Sequence, residues 1–519
     1  RCGTGYVKAS IDGGVNWSDV TPAAGPVDPA LVDYVSIDTN VVIGGRVYVL
    51  GNIGGVGYIL ATDDAGVSWS WVSLGVTGST TPSVDEFGSG YLVEANQSLA
   101  GWQQGSVSAC INLTSDYYLI AHTDGVVGWY GTGANINLTY IYMPSTTSMT
   151  VLDSVEVKSG PGSRSFALAK IDTDEFVISY AITGLSAAPT QAELYATPGS
   201  IGPGDTLVLG TEVQVASSYG TLGVTSMDMV ALPNNKVALV YLNGWGSSAP
   251  FFSDLYIRAG TVTGGALTLG AELQINTLCL PYSLTIQMAD TDKFVVCYPQ
   301  ISTTTSVVTV MLYTCELSGN TASVTDSLAH PTGSTDIYHA TISVASDRKF
   351  VLGILKDVSG FGKITLYPGT IDALFQNITV GAAPSSALDT PVGWFSFNME
   401  KYDDDFGVIT YQTFISGTQR IRVGFYDHDA VIYSTTFADQ PDAGGTYWGA
   451  PSTAVTSSGL VIASDNRTHP SGVSADLYVH KVSVTGGGGG GAGGLGIGLA
   501  ADRLTGAYVW VTVYNGYGM

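Results

Sequence analysis

The chain carries 43 Asp and Glu, 6 His and 5 Cys, the side chains from which acid–base, metal or thiol chemistry would have to be built. Cleaving a glycosidic bond takes two carboxyl groups flanking it. Carboxylates are plentiful enough here, but no spacing in the sequence brings a pair together. His122, His330, His339, His428, His469 and His480 show no metal-ligand spacing. His428 lies in Asp427-His428-Asp429, which reads first as a solvated turn and second as a site able to hold a cation such as Ca2+. No other cofactor is indicated. Cys2, Cys110, Cys279, Cys297 and Cys315 are widely spaced with no CxxC, so buried free thiols are expected ahead of a zinc site or a disulfide framework. A GxSxG elbow, a phosphate-binding loop and a dinucleotide fingerprint are all missing from the sequence.

Composition narrows the partners. The 519 residues hold 19 Lys and Arg, giving a net charge of -24 and a pI near 4.3. Such a chain repels a phosphate backbone, so nucleic acid and anionic membranes are excluded as partners. No run of 18 apolar residues is present to span a bilayer. The chain starts at Arg1 without a basic-then-apolar leader, as a processed chain or a fragment would. Six Asn-x-Ser/Thr sequons begin at Asn16, Asn96, Asn112, Asn137, Asn377 and Asn466, a number that a Ser/Thr-rich chain reaches by chance.

The elements that would position any site come from a repeat. A polar turn followed by an apolar strand occurs at 172–180 (DTDEFVISY), 233–241 (PNNKVALVY), 290–298 (DTDKFVVCY), 346–354 (SDRKFVLGI) and 403–411 (DDDFGVITY). Weaker copies lie at 456–464, 114–122 and 43–51. The first spacing is roughly 71 residues and the others run from about 53 to 61, the mark of a repeat architecture. A second landmark follows each strong copy and the weaker copy at 456–464: Leu194-Tyr195, Leu255-Tyr256, Leu312-Tyr313, Leu366-Tyr367, Phe425-Tyr426 and Leu477-Tyr478. Two units also match as LVLGTEVQ at 207–214 and LTLGAELQ at 267–274. Each unit therefore reads as a four-stranded antiparallel meander whose second strand is buried on both faces, which is what a β-propeller blade requires. The expected fold is all-β, a single large β-propeller of eight or, alternatively, seven blades. The repeated tyrosines are expected to pack between blades.

Near the N-terminus, Ser10, Asp12, Gly14 and Trp17, and again Thr62, Asp64, Gly66 and Trp69, fit Ser/Thr-x-Asp-x-Gly-x-x-Trp. This resembles the Asp-box, or BNR repeat, of sialidases, sortilin-type receptors, some glycoside hydrolases and many phage and bacterial surface proteins. The resemblance implies hairpins at 10–17 and 62–69 on the outside of propeller blades. In them Asp12 and Asp64 would cap turn amides, Gly14 and Gly66 would take a positive φ, and Trp17 and Trp69 would pack beneath. These roles are structural. Residues 110–485 also resemble the tandem propeller repeats of environmental bacterial and phage proteins.

The expected organisation is a propeller over 1–485, a Gly-rich segment over 486–498 and a C-terminal strand over 499–519 that closes the ring by pairing with 5–20. A sialidase-type site would need an arginine cluster, and the family's Arg-Ile-Pro signature is missing, the nearest string being Gln419-Arg-Ile-Arg422. The expected function is accordingly non-enzymatic: a virion or cell-surface structural or adhesion protein such as a phage tail, fibre or decoration component, located on a virion or outside the cell. Its expected partners are other assembly subunits, further copies of itself, and a host-surface glycan or receptor. The alternative is a secreted glycoside hydrolase or sialidase-like enzyme, which two carboxylates about 5 to 10 Å apart in the central cleft would mark.

Overall fold

The computed structural model describes residues 82–98, 108–124, 135–160, 163–183, 192–217, 223–245, 252–280, 283–301, 307–334, 337–358, 361–382, 388–415, 418–439, 451–466 and 474–485, except for a few turn residues. It also describes short strands between 2 and 73 and at 495–498 and 510–513. Two compact units divide the chain: residues 1–81 with 486–488, and residues 82–485 with 489–519. The described residues are all-β, and none of them forms a helix long and apolar enough to cross a membrane.

The larger unit is a β-propeller of seven blades. Its innermost strands are Ala109–Thr114, Ser163–Lys170, Gly223–Leu232, Thr285–Asp290, Ile337–Val344, Leu388–Lys401 and Ser452–Thr456, which we number as blades 1 to 7. In each blade the chain runs outward through antiparallel hairpins. Consecutive innermost strands touch, and Ser452–Thr456 returns to touch Ala109–Thr114, so the ring is closed.

The sequence repeat is the second strand of each blade. The copy at 233–241 lies in Lys236–Trp245, with Val237 to Leu242 all buried, and the copy at 290–298 lies in Lys293–Ile301, with Phe294 to Tyr298 all buried. Both faces of these strands are covered by neighbouring blades, which is why the runs are continuously apolar rather than alternating. The Asn-Asn of blade 3 adopts φ of 64° and 58°, the left-handed pair that matches hairpin twist. The expected eighth blade is not part of the ring. The copy at 43–51 falls in Val47–Ile53, one strand of a separate four-stranded sheet with Tyr34–Ile37, Val56–Thr62 and Ser70–Ser73 in the smaller unit. The repeat marks a four-stranded meander, and one such meander stands by itself.

The other sequence landmarks resolve into contacts. Tyr180, Tyr241 and Tyr298 are fully buried and stack on Tyr195, Tyr256 and Tyr313 of the third strands at 6.2, 5.5 and 6.0 Å between ring centroids, as core packing predicts. In the matched segments 207–214 and 267–274 the glutamate accepts the hydrogen bond of the second-strand tyrosine: Tyr180 to Glu212 and Tyr241 to Glu272. Their glycines serve the seams. A Cβ on Gly210 would collide with the carbonyl oxygen of Gly265 in blade 3, and one on Gly270 with that of Asn320 in blade 4. Lys158 of blade 1 adds an ion pair to Glu212 of blade 2 at 2.7 Å.

Closure uses one stretch from the start of the ring. Blade 7 receives its outer strands from Ser83–Phe87 and Tyr91–Ser98, both antiparallel to Ser474–Thr485. In the described strands Trp510–Val513 pairs with Leu495–Gly498, and Tyr6–Ala9 with Cys2–Gly3 and Ser18–Asp19. The closure expected between 5–20 and 499–519 is thus supplied from elsewhere in the chain. Lys481 of the closing blade is buried and reaches into blade 1, bonding Asp116 Oδ1 and the Met143 carbonyl, each at 2.5 Å. The Gly88 N–H completes the seam on the Lys481 carbonyl at 2.9 Å. Removing Lys481 leaves the Met143 carbonyl without its donor and the half-buried Asp116 without its cation. Lys481→Met should therefore lower the unfolding free energy by about 2 kcal/mol, read from urea denaturation, and adding Asp116→Leu should recover part of the loss. A single variant as stable as wild type would show that the seam does not depend on this pair.

Candidate functional site

The innermost strands enclose a channel of about 570 Å³ lined by all seven blades. Position along each innermost strand can be counted from its register. Each second-strand motif ends on a residue whose cross-strand partner is taken as level zero. In blade 3 Met227 pairs with Tyr241, and in blade 6 Phe397 pairs with Tyr411. Asp228 and Asn398 lie one residue on and Glu400 three, Gln287 of blade 4 shares the level of Glu400, and all four line the channel. Asp228 and Glu400 thus stand in blades 3 and 6, as far apart round a seven-membered ring as two blades can be, and two residues, or about 7 Å of strand rise, apart in depth.

Each carboxyl group is held. Asp228 accepts the N–H of Met229 at 2.8 Å and, from the neighbouring blade, that of Ile286 at 2.9 Å. The second bond is one of a set. Ser283 accepts the Ala340 N–H and Ser452 the Cys110 N–H, each at 2.9 Å, by the same step from one innermost strand to the next. A hydroxyl is enough for that bridge, so the fold does not require the charge that blade 3 places there. Glu400 accepts from Asn398 Nδ2 at 3.4 Å and from the Gln287 amide.

Burial raises both acids. The Glu400 carboxyl is pushed up to about 8, first by its desolvated position and then by the charge of Asp228. Asp228 is pushed up to about 7 by burial, against the opposing pull of its two backbone N–H donors. Two carboxyl groups that feel each other titrate as a pair. Near neutral pH the pair therefore offers one protonated acid and one ionised base, the division of labour used in general acid–base catalysis. One level on the other side of zero, His339 of blade 5 faces the same channel with its ring edge-on to Phe397 at 4.8 Å. Burial lowers its pKa to about 4, so this imidazole is uncharged at neutral pH.

The residues singled out from sequence lie elsewhere. Ser10, Asp12, Gly14, Trp17, Asp64, Gly66 and Trp69 are outside the described residues, and Thr62 is described only as the last residue of Val56–Thr62. Asp427-His428-Asp429 is a turn at the end of a blade 6 strand: the Asp429 N–H bonds Asp427 Oδ1 at 2.9 Å and the Ala430 N–H bonds the Asp427 carbonyl at 3.0 Å. Among the described residues no group of three or more His, Cys, Asp or Glu is placed to hold a metal ion. Arg422 is buried against Tyr411, its Nη1 3.3 Å from the hydroxyl. Cys110, Cys279, Cys297 and Cys315 are free and buried, and burial pushes the thiols of Cys110 and Cys279 up to about 12. The sequence did hold a signal for the carboxyl pair: SMDMV at 226–230 and FNMEK at 397–401 put a carboxylate into the alternating pattern of an innermost strand.

No family model matches the sequence, and no curated protein matches it. Solved structures are similar in fold. The polysaccharide lyase Uly1 is 10% identical with a TM-score of 0.46, covering 74% of this chain and 90% of its own. An α-L-arabinanase of Penicillium chrysogenum in complex with arabinobiose is 12% identical with a TM-score of 0.39, covering 60% and 92%. The β-propeller domain of the Trilobed protease of Pyrococcus furiosus, described as having an open velcro topology, is 9% identical with a TM-score of 0.40, covering 73% and 94%. The expectation of a non-enzymatic virion or surface protein is corrected at this point. The channel holds two carboxyl groups, Asp228 and Glu400, where a purely structural ring would need none.

The raised acids have a consequence for stability. The folded chain keeps protons on Glu400 and Asp228 that the unfolded chain releases near pH 4, so the stability these two acids contribute is fully present below that pH and falls as pH rises toward 8. Glu400→Gln should flatten this fall, measured as unfolding midpoints from pH 4 to 9. An unchanged slope would mean that Glu400 ionises normally in the folded protein.

Proposed function

We propose that the protein is a glycan-cleaving enzyme whose active site is the central channel, with Glu400 as proton donor and Asp228 as base. One observation carries the reading: two carboxyl groups from opposite blades face one channel, and the charge of one raises the other. A carboxylic acid kept protonated at neutral pH can protonate a leaving oxygen, and a carboxylate on the far wall can take a proton from the attacking side. Asn398 and Gln287 orient the acid, and two backbone amides orient the base. A sialidase-type variant of this reading finds no support in Arg422, which is spent on Tyr411.

An extracellular site of action goes with this reading, since polymeric glycans lie outside cells. The two Ser/Thr-x-Asp-x-Gly-x-x-Trp segments support Asp-box hairpins at 10–17 and 62–69 as part of the same proposal; their role is to brace strands, away from the chemistry.

The test is hydrolytic or eliminative release from a mixed glycan panel by wild type, Glu400→Gln and Asp228→Ser. The serine keeps an acceptor for the Ile286 N–H, as Ser283 and Ser452 do in their blades, so the ring should persist. Each variant should lose about 10²- to 10⁴-fold in kcat/KM while still unfolding cooperatively, at a melting temperature no lower than that of wild type. The wild-type profile should be bell-shaped with its maximum between about 7 and about 8, where Asp228 has ionised and Glu400 has not. Full activity in both variants would remove the channel as the active site.

A further inference from the structure

The channel wall points to a particular class of glycan. We infer that the polymer cleaved is uncharged and that water, rather than β-elimination, breaks the bond; this rests on the proposed glycan-cleaving reading. Eliminating a uronate requires the sugar's own carboxylate to be neutralised while the proton beside it is removed, and a charged or strongly donating partner must face it. The wall offers the opposite. Around Asp228 and Glu400 the facing side chains are amides, hydroxyls and small apolar groups, namely Asn398, Gln287, Thr285, Thr341 and Ala167. The imidazole there, His339, carries no charge at neutral pH. Lys170 reaches the lining only at the exposed end of its strand.

The hairpins joining first and second strands at that end carry cations, two of them with few or no acids (Lys236 after Asn234-Asn235, and Arg348-Lys349) and three of them beside paired acids. Lys170 is followed by Asp172 and Asp174, Lys293 is preceded by Asp290 and Asp292, and Lys401 is followed by Asp403 and Asp405. Lys293 is also drawn over the Phe375 ring at 4.7 Å. The net charge of -24 repels a polyanion from the chain as a whole. An uncharged sugar meets what it needs: hydroxyl and amide partners beside an acid and a base.

The step balances without any further reactant. Glu400 gives its proton to the glycosidic oxygen as the bond to the anomeric carbon breaks, freeing one chain end as an alcohol. A water oxygen bonds that carbon and loses a proton to Asp228, so one water is consumed for each bond. Proton exchange with solvent then restores the ionised Asp228 and protonated Glu400.

The experiment incubates the full chain with uncharged polymers (arabinan, xylan, β-glucan) and with uronate polymers (polygalacturonate, alginate, ulvan). It follows reducing ends together with the ultraviolet absorbance of unsaturated products. New reducing ends from an uncharged polymer, without that absorbance and at least 100-fold weaker in Glu400→Gln, is the result expected. Cleavage confined to uronate polymers, or appearance of the unsaturated product, would overturn the uncharged class while leaving glycan cleavage standing. Cleavage of no polymer in the set would overturn this inference together with the glycan-cleaving reading on which it rests.

Discussion

At three of its seven seams the ring is tied by one recurring bond, in which a short polar side chain on or just before an innermost strand accepts a backbone N–H from the innermost strand of the next blade. Asp228 reaches Ile286, Ser283 reaches Ala340, and Ser452 reaches Cys110 across the point where the ring closes. Innermost strands splay from their neighbours instead of pairing along their length, so their N–H groups need partners from outside the sheet ladder. Supplying those partners from the adjacent blade satisfies the backbone and fixes the height of each blade relative to the next. Levels around the channel are then defined, and residues remote in sequence share a plane, as Gln287 and Glu400 do.

That constraint explains where chemistry can sit. Outer strands are joined by tyrosine stacks, glycine seams and the Lys158–Glu212 pair, all of which a rigid ring needs and none of which faces a cavity. The channel wall is the place where a side chain can leave the packing without leaving the protein. A carboxylate placed there is desolvated by the surrounding blades, so its proton affinity rises. Glu400 shows this most strongly because Asp228 faces the same space.

The blade plan was legible in the sequence because both faces of the second strand are buried: a run such as KFVVCY can be read without knowing its neighbours. The Leu-Tyr landmarks and the Leu-x-Leu-Gly segments were legible for a related reason, since the same seam recurs. The count of blades was less so, because the copy at 43–51 has the local pattern of a blade strand, and membership of the ring is decided by what packs around it. Closure by 83–98 was hidden as well. Velcro strands are chosen by the register of the last blade, and 83–98 carries no repeat motif.

The site was the least legible part. Asp228 and Glu400 each look like a lone acid in a strand until the first-strand registers of blades 3 and 6 are laid side by side, and only the ring brings them to one cavity. The triplet at Asp427-His428-Asp429 attracted notice because its acids adjoin in sequence, yet adjacency there serves a turn.

The central claim is that Glu400 remains a neutral acid at neutral pH because burial and Asp228 hold it so. Difference infrared spectroscopy of wild type against Glu400→Gln, with the carboxyl C=O stretch followed across a pH titration, tests it most directly. The account predicts a protonated-carboxyl band at pH 7 that the substitution removes and that disappears in wild type as pH passes about 8. A wild-type spectrum at pH 7 in which Glu400 contributes only carboxylate bands would contradict it.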